Sequence, residues 1–314
     1  MASSNGRIRS RISKNEMPVF HVAENENTLP IRHPPCRKIR EGIMSASMMN
    51  VLVGALLGCA LSACGGDNPA DVASAASMKP IERISDAALP ALTPGNPPGF
   101  NFNLAPFTLQ LPTGASGSVD TVDGDSLKAG YTNRDYFYTD QSDGAMVMMD
   151  PERGWTTSGS QHPRTELREN ATWPTNGTNT LSATVSVVQV PDHTTIGQIF
   201  QGAGPSKPLC ELQVTSGGIA QLLLEETNQG GKSKTYRLAN VPPGKPFSYD
   251  LSLSGTTIGV KINGASRSFT MDPSFDGETF YFKAGNYDQT ATSGPPLTVP
   301  GTVVKFYALA LTHR

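Results

Sequence analysis

Apolar and polar residues alternate with a period of two along much of the C-terminal part of this 314-residue chain. In the stretch 247–254 every odd position is apolar and every even position is polar. Gly255-Thr256 follows, and a second apolar set at Ile258, Val260 and Ile262 leads to Asn263-Gly264. An Asn-Gly pair beside alternating residues is a strong signal for a β-hairpin. This pattern predicts half-buried antiparallel strands.

Further short stretches of the same kind are found at 181–187, 222–224, 280–283 and 303–311. No ten-residue window shows a convincing apolar period of 3.6, the sign of an amphipathic helix. The chain contains 31 glycines and 25 prolines, more than the usual ~12% for these two residues together. Many short strands separated by turns predict an all-β fold, a jelly-roll sandwich of two antiparallel sheets.

The first 64 residues have a different character. Residues 51–61 are apolar and uncharged, but a membrane-spanning helix needs about 20 such residues. Basic residues precede this run, and Leu61-Ser-Ala-Cys64-Gly follows it, which resembles a bacterial lipobox at the end of a secretion signal. We expect residues 1–63 to be a leader and lipoprotein signal peptide, with Cys64 lipidated. The alternative interpretation of residues 51–61 is a buried apolar strand or helix that happens to end in Ser-Ala-Cys.

The sequence after Cys64 is rich in Ala and Ser up to about residue 85. Residues 64–90 are therefore interpreted as a flexible tether, and residues 91–314 as the folded domain. These features together predict a monomeric lipoprotein of the bacterial cell envelope, in the outer membrane or facing the periplasm or the exterior. Its contact with the membrane would be made by the lipid alone.

Charge and cysteine content exclude several classes of protein. The net charge of −2 argues against a nucleic-acid partner. Residues 1–64 hold 8 Lys/Arg and 4 Asp/Glu, which leaves 17 and 23 and a net charge of −6 for residues 65–314. Only Cys210 remains in the mature chain, and we interpret it as a small strand residue. No His/Asp/Glu cluster has metal-ligand spacing, so neither a metal nor another cofactor is expected.

The segment Arg164-Thr-Glu-Leu-Arg168 is the first that suggests chemistry. On a strand, Arg164, Glu166 and Arg168 share one face, and such a row is costly to bury unless its charges are paired. One interpretation is a solvated face on which Glu166 bridges the two arginines. The other is a groove that grips carboxylates, which suits the guanidinium fork. The alternation of side chains along a strand does not by itself decide between these two interpretations.

Two more segments place unusual side chains on one strand face. In Gly197-Gln-Ile-Phe200, Gln198 and Phe200 share a face. In the segment 281–289, Tyr281 shares a face with Lys283, and a glycine at 285 permits a close approach or a bend before Tyr287. The ordinary interpretation of Lys283 is an exposed lysine, and that of Tyr287 is an aromatic residue at a sheet edge.

Together and in this order, the three segments resemble the signatures of polysaccharide lyase family 7, the alginate lyases. Those signatures are Arg-(Ser/Thr)-Glu-(Leu/Val)-Arg, Gln-(Ile/Val)-His and Tyr-Phe-Lys-Ala-Gly-x-Tyr-x-Gln. The resemblance implies a jelly roll with a concave cleft and an anionic polysaccharide as partner. It also implies β-elimination, in which the C5 proton is removed, the 4-O-glycosidic bond breaks and a C4–C5 double bond forms.

The resemblance assigns roles to individual residues. Arg164 and Gln198 would neutralise the uronate carboxylate, so that charge developing at C5 is stabilised as in an oxyanion hole. Tyr287 would protonate the leaving oxygen and would also be able to take the C5 proton. As a base it would need cationic neighbours to lower its pKa. The matching substrate-binding positions are Glu166, Arg168, Phe200, Tyr281 and Lys283.

One position departs from the family pattern, because Phe200 stands where the family has histidine. Losing a positioned acid–base group typically costs about 10²–10⁴-fold in rate, unless Tyr287 does both jobs. In β-D-mannuronate and β-D-glucuronate the C5 proton and the C4 oxygen lie on the same side, so one residue can serve as base and acid in turn. In α-L-guluronate they lie on opposite sides.

We therefore expect a lyase that prefers mannuronate-rich alginate. The alternatives are a lyase for glucuronan or another glucuronate polymer, and a catalytically impaired polysaccharide-binding protein of the same fold. His162 and His193 are the other histidines of the domain that we considered as a base. Both are expected to be surface residues instead.

Overall fold

Two large antiparallel sheets make up most of the structure, a computed structural model that describes residues 91–314. The predicted leader, the lipidation site Cys64 and the predicted tether 64–90 lie outside the described residues. Within residues 91–314, no helix has both the length and the apolar character needed to cross a membrane.

The first sheet, here called the front sheet, has eight strands. They are β1 (Phe107–Ala115), β2 (Ser118–Val122), β6 (Thr165–Glu169), β8 (His193–Gln201), β9 (Pro208–Thr215), β10 (Ile219–Glu225), β11 (Ser233–Asn240) and β15 (Phe280–Asp288). Their spatial order is β11-β10-β9-β8-β15-β6-β1-β2. The strands that carry the three signature segments, β6, β15 and β8, are therefore neighbours at the centre of the sheet.

The second sheet, the back sheet, has seven strands in the order β14-β13-β12-β7-β17-β4-β3. They are β3 (Phe137–Thr139), β4 (Met146–Pro151), β7 (Asn179–Gln189), β12 (Phe247–Ser254), β13 (Thr257–Ile262), β14 (Ala265–Thr270) and β17 (Pro300–His313). The remaining elements are β5 (Arg153–Gly154), β16 (Thr292–Ser293), α1 (Pro98–Asn101), α2 (Gly124–Lys128) and a 3₁₀ turn at Pro273–Phe275. The prediction of an all-β fold with two antiparallel sheets is confirmed.

The core lies between the sheets, and the alternation in the sequence produces it directly. On β12 the four apolar side chains are buried and the intervening polar ones are more exposed. The predicted hairpin from β13 to β14 turns at Asn263 and Gly264, with φ angles of 50° and 84°. Positive φ at both central residues is typical of a type I′ turn. Cys210 is fully buried on β9, and burial raises its pKa to about 12, which confirms its interpretation as a strand residue.

Asn286 connects the centre of the front sheet to the back sheet. Its Nδ2 donates to the carbonyl oxygens of Met148 on β4 and Thr302 on β17, each at 3.0 Å. Its Oδ1 accepts from the hydroxyls of Thr194 and Thr302, each at 2.7 Å. Because all of these bonds are buried and satisfied, they fix the backbone of β15 at the residue just before Tyr287.

Gly285 allows β15 to lie unusually close to β6. A Cβ atom at this position would lie 2.6 Å from the Cα of Glu166 and 2.7 Å from the carbonyl oxygen of Thr165. Such distances are shorter than van der Waals contact, so only glycine fits. The predicted close approach is confirmed, and it occurs directly beside Glu166.

Candidate active site

A cleft of about 720 Å³ lies over the centre of the front sheet, on the face opposite the core. Seven of the eight residues that the sequence assigned to the site line it: Arg164, Arg168, Gln198, Phe200, Tyr281, Lys283 and Tyr287. The eighth, Glu166, has no exposed surface. These residues come together because alternate side chains of a strand point to the same face and because the three signature strands are neighbours at the centre of the sheet.

The carboxylate of Glu166 holds three of the cleft residues. Its Oε2 accepts a hydrogen bond from Arg164 at 2.8 Å and one from the ammonium of Lys283 at 3.1 Å. Its Oε1 accepts from the side-chain amide of Gln198. Because the carboxylate is enclosed by these donors, Glu166 positions the residues that face the cleft. This corrects its expected role as a substrate contact.

Neither interpretation of the Arg-Thr-Glu-Leu-Arg face was complete. Arg164 is only 8% exposed, so the face is not solvated there. Glu166 pairs with Arg164 and Lys283 and does not bridge the two arginines. Arg168 instead lies over the ring of Tyr281, with its guanidinium carbon 4.1 Å from the ring centroid. This geometry leaves Arg168 partly exposed and open to the cleft.

The buried charges shift each other's pKa values. Burial alone would raise the pKa of Glu166, but Lys283 and Arg164 lower it, and the net shift is downward. The pKa of Lys283 falls to about 8, because burial and the nearby Arg164 outweigh the attraction of Glu166. The centre of the cleft thus combines a permanently charged guanidinium with an ammonium that can lose its proton in mildly alkaline solution.

Tyr287 lies against Arg164 and Ser160. The guanidinium carbon of Arg164 is 3.8 Å from the centroid of the Tyr287 ring, and the Tyr287 hydroxyl is 2.9 Å from Oγ of Ser160. Burial raises the pKa of Tyr287, Arg164 and Ser160 lower it, and the net shift is upward. The lowering of the Tyr287 pKa by Arg164 is therefore smaller than the raising of this pKa by burial. Tyr287 carries its proton near neutral pH.

Ser160 is a residue of the site that the sequence did not single out. Its Oγ accepts a hydrogen bond from Arg164 at 2.6 Å and lies 3.1 Å from the carbonyl oxygen of His162. It therefore connects Arg164 to Tyr287. The available signal was its position four residues before Arg164, but that segment has no periodicity from which its direction follows.

His162 also lines the cleft, where it is partly exposed, as expected of a surface residue. Its Nδ1 is 2.7 Å from the carbonyl oxygen of Ala291, and its ring centroid is 6.1 Å from that of Tyr287. His193 is different, since it begins β8 beside Asp192. It is not among the residues that line the cleft.

Phe200 lies beside Tyr281 in the cleft. The two rings lie 5.4 Å apart, and the ammonium of Lys283 is 4.8 Å from the Phe200 ring. Phe200 pairs across the sheet with Tyr281, whereas Tyr287 pairs with Thr195. Between the rings of Phe200 and Tyr287 lie Lys283, Glu166 and Arg164, each in contact with the next.

The flank of the cleft on β9 and β10 is acidic. Glu211 accepts hydrogen bonds from Thr195 at 2.7 Å and Gln213 at 3.0 Å. Glu225 also lines the cleft, and burial together with Glu211 raises its pKa. Among residues 91–314, no three His, Cys, Asp or Glu side chains come together in a way that could hold a metal ion.

The family is decided by a direct comparison of sequences. A family model described as alginate lyase matches residues 102–313. The chain belongs to this family. It is a polysaccharide lyase, and the resemblance noted in the three signature segments is confirmed. A curated alginate lyase from Klebsiella pneumoniae is 27% identical over 300 residues, which cover 73% of this chain and 93% of that relative.

Solved structures of the family share the fold. The crystal structure of alginate lyase A1-II′, a member of polysaccharide lyase family 7, is 30% identical over 69% of this chain and 98% of its own, with a TM-score of 0.61. A variant of A1-II′ in complex with a substrate described as GGMG is 29% identical over 70% of this chain and 97% of its own, with a TM-score of 0.63. The predicted jelly roll is confirmed by this likeness.

Replacing Glu166 with Gln should destabilise the fold strongly. The change removes the counter-charge of two nearly buried cations, and breaking a buried ion pair in this way costs about 3–5 kcal/mol. The measurement is the free energy of unfolding in urea. Glu226→Gln is the matched control, because it removes a carboxylate that pairs with Lys234 at the surface and should have a far smaller effect. Equal effects of the two changes would contradict the central role of Glu166.

The pKa of Lys283 predicts a pH dependence of substrate binding. Below pH 8 the ammonium is charged and attracts a carboxylate, and above it the charge is lost. The KM for a polyuronate should therefore rise as the pH increases through 8. A guanidinium stays charged in this range, so Lys283→Arg should keep KM flat. Steady-state kinetics from pH 6 to 10 test this, and an equal rise in both proteins would refute it.

Proposed function

We propose that this lyase cleaves alginate by β-elimination and prefers mannuronate-rich regions. The observation that carries the proposal is the joining of Arg164, Gln198 and Lys283 by one buried carboxylate, beside a protonated Tyr287. Family membership and the relatives that are named alginate lyases support alginate as the substrate. The complex of A1-II′ with an oligosaccharide substrate supports a binding site for such a chain.

The reaction needs the charge of the uronate carboxylate to be neutralised before the C5 proton can leave. Arg164 uses one terminal nitrogen for Glu166 and the other for Ser160, and a guanidinium has five N–H donors in all. The remaining donors, with the amide of Gln198 and the charge of Lys283, are available to the substrate. Because they are fixed in a mostly buried setting, they stabilise developing negative charge with little rearrangement.

Tyr287 supplies the proton for the leaving group. As a base removes the C5 proton, the electrons of the C5–H bond form the C4–C5 double bond, the C4–oxygen bond breaks, and the phenol gives its proton to the departing oxygen. The raised pKa of Tyr287 favours this role, since the group must be protonated when the bond breaks.

The preference for mannuronate follows from Phe200. An apolar ring cannot transfer a proton, so the site lacks the acid–base group that the family has at this position. Proton transfer from one side suits a sugar whose C5 proton and C4 oxygen lie on the same side, as in mannuronate. Phe200 and Tyr281 instead provide an aromatic surface on which a sugar ring can stack.

Two other functions fit the same substitution. Glucuronate has the same relative arrangement at C4 and C5, so glucuronan or a related polymer is the second candidate substrate. A protein that binds the polysaccharide without cleaving it is the third.

We also propose that the protein is a monomeric cell-envelope lipoprotein anchored only through Cys64. The anchor rests on the lipobox-like sequence.

The decisive experiment compares the purified protein with Tyr287→Phe. On mannuronate-rich alginate or glucuronan, the protein should produce the ultraviolet absorbance of unsaturated uronates. Tyr287→Phe should lose about 10²–10⁴-fold in kcat, because the proton donor is gone. Tyr131→Phe, outside the cleft lining, is the control and should keep its activity. Binding without any turnover would favour the polysaccharide-binding alternative, and full activity of Tyr287→Phe would refute the assigned role.

Phe200→His should broaden the substrate range toward guluronate. The change restores a titratable group where the family has histidine, so that a base and Tyr287 can act from opposite sides of the sugar. The measurement is kcat/KM on guluronate blocks and on mannuronate blocks, with Phe200→Leu as the matched control that removes the ring without adding a base. No gain on guluronate with the histidine variant would remove the support for the stereochemical argument.

A further inference from the structure

The mechanism proposed above does not identify the base that takes the C5 proton. Tyr287 is protonated near neutral pH, Phe200 has no titratable group, and Glu166 is enclosed by its own hydrogen-bond donors. Among residues 91–314, His162 is the only histidine that lines the cleft. It lies beside Tyr287, with 6.1 Å between the ring centroids.

The hydrogen bond of His162 defines which nitrogen is free. The carbonyl oxygen of Ala291 can only accept, so the Nδ1 that lies 2.7 Å from it must carry the hydrogen. In the neutral imidazole the other nitrogen, Nε2, then has the lone pair. A carbonyl that holds Nδ1–H fixes the tautomer and the orientation of the ring. His162 is thus prepared to accept a proton at Nε2.

We propose that His162 is the catalytic base of this lyase, taking the C5 proton on the same side of the sugar from which Tyr287 protonates the leaving oxygen. This inference rests on the proposed β-elimination. It replaces the histidine that the family has at position 200 with one beside Tyr287. It also removes the need for one residue to act first as base and then as acid.

The proton balance of the step is complete. Nε2 of His162 takes the C5 proton, and the electrons of the C5–H bond form the C4–C5 double bond. The C4–oxygen bond breaks, and the leaving oxygen takes the phenolic proton of Tyr287. After product release, the imidazolium returns its proton to the phenolate, directly or through water, and both groups are ready for the next cycle. No oxidant, metal or other reactant is required.

The positions of the two groups agree with elimination from one side. The rings of His162 and Tyr287 lie 6.1 Å apart, and Ser160 contacts both the hydroxyl of Tyr287 and the main-chain carbonyl of His162. Phe200 lies further along β8, where it pairs with Tyr281. A base at position 200 would approach the sugar from beside Lys283, whereas His162 approaches it from the side of Tyr287.

The test is His162→Asn, measured on mannuronate-rich alginate, or on glucuronan if that is the polymer the protein cleaves. The Asn amide can donate to Ala291 in place of Nδ1, but it offers no basic nitrogen at the position of Nε2. We expect kcat to fall about 10²–10⁴-fold while KM and the thermal midpoint stay close to those of the unmodified protein. His193→Asn is the matched control and should change none of these values.

A second variant separates a base from a structural role. In His162→Ala, free imidazole added to the solution should restore part of kcat, because it can enter the space left by the ring and take the C5 proton. Unchanged kcat in His162→Asn would overturn the proposal. So would a fall in kcat in both variants that imidazole does not restore in His162→Ala. If the unmodified protein has no activity on any uronate polymer, the proposed function itself is refuted. An active protein with unaffected His162 variants refutes only the role of His162.

Discussion

The buried carboxylate of Glu166 is the interaction on which the site depends. Enclosing an ionised carboxylate costs several kcal/mol, and this cost is offset only where the geometry is good and the lone pairs are satisfied. Here β6, β8 and β15 meet at the centre of the sheet and bring Arg164, Gln198 and Lys283 to one carboxylate. The close approach permitted by Gly285 lies directly beside it. The order of the strands and the charges of the cleft therefore support each other.

The distribution of charge explains how an acidic protein can act on a polyanion. Residues 65–314 carry a net charge of −6, and the flank at Glu211 and Glu225 is acidic even within the cleft. Charges in solution are screened over roughly 8 Å at physiological salt. A uronate carboxylate at the cleft centre therefore interacts mainly with Arg164, Arg168 and Lys283. The negative net charge of the chain therefore does not exclude a polyuronate as its ligand.

The sequence predicted those parts of the structure that follow from local periodicity. Alternation placed Arg164, Glu166 and Arg168 on one face and predicted the hairpin at Asn263-Gly264. It did not predict that Glu166 would be buried, because its partner Lys283 lies 117 residues further along the chain. The position of His162 was also missed, since it precedes a proline in a segment without periodicity. The pKa of Tyr287 depends on how deeply the ring is buried, which no local pattern shows.

The hydroxyl of Ser160 has one hydrogen and two neighbours that can accept it. Because Arg164 already donates to this oxygen, the hydrogen can point to the carbonyl oxygen of His162 or to the oxygen of Tyr287. In the first case Tyr287 donates to Ser160, and in the second Ser160 donates to a phenolate. Rotation about a single C–O bond thus adapts the site to either charge of Tyr287 with no movement of heavy atoms. The reorganisation energy of proton transfer is small in a site built in this way.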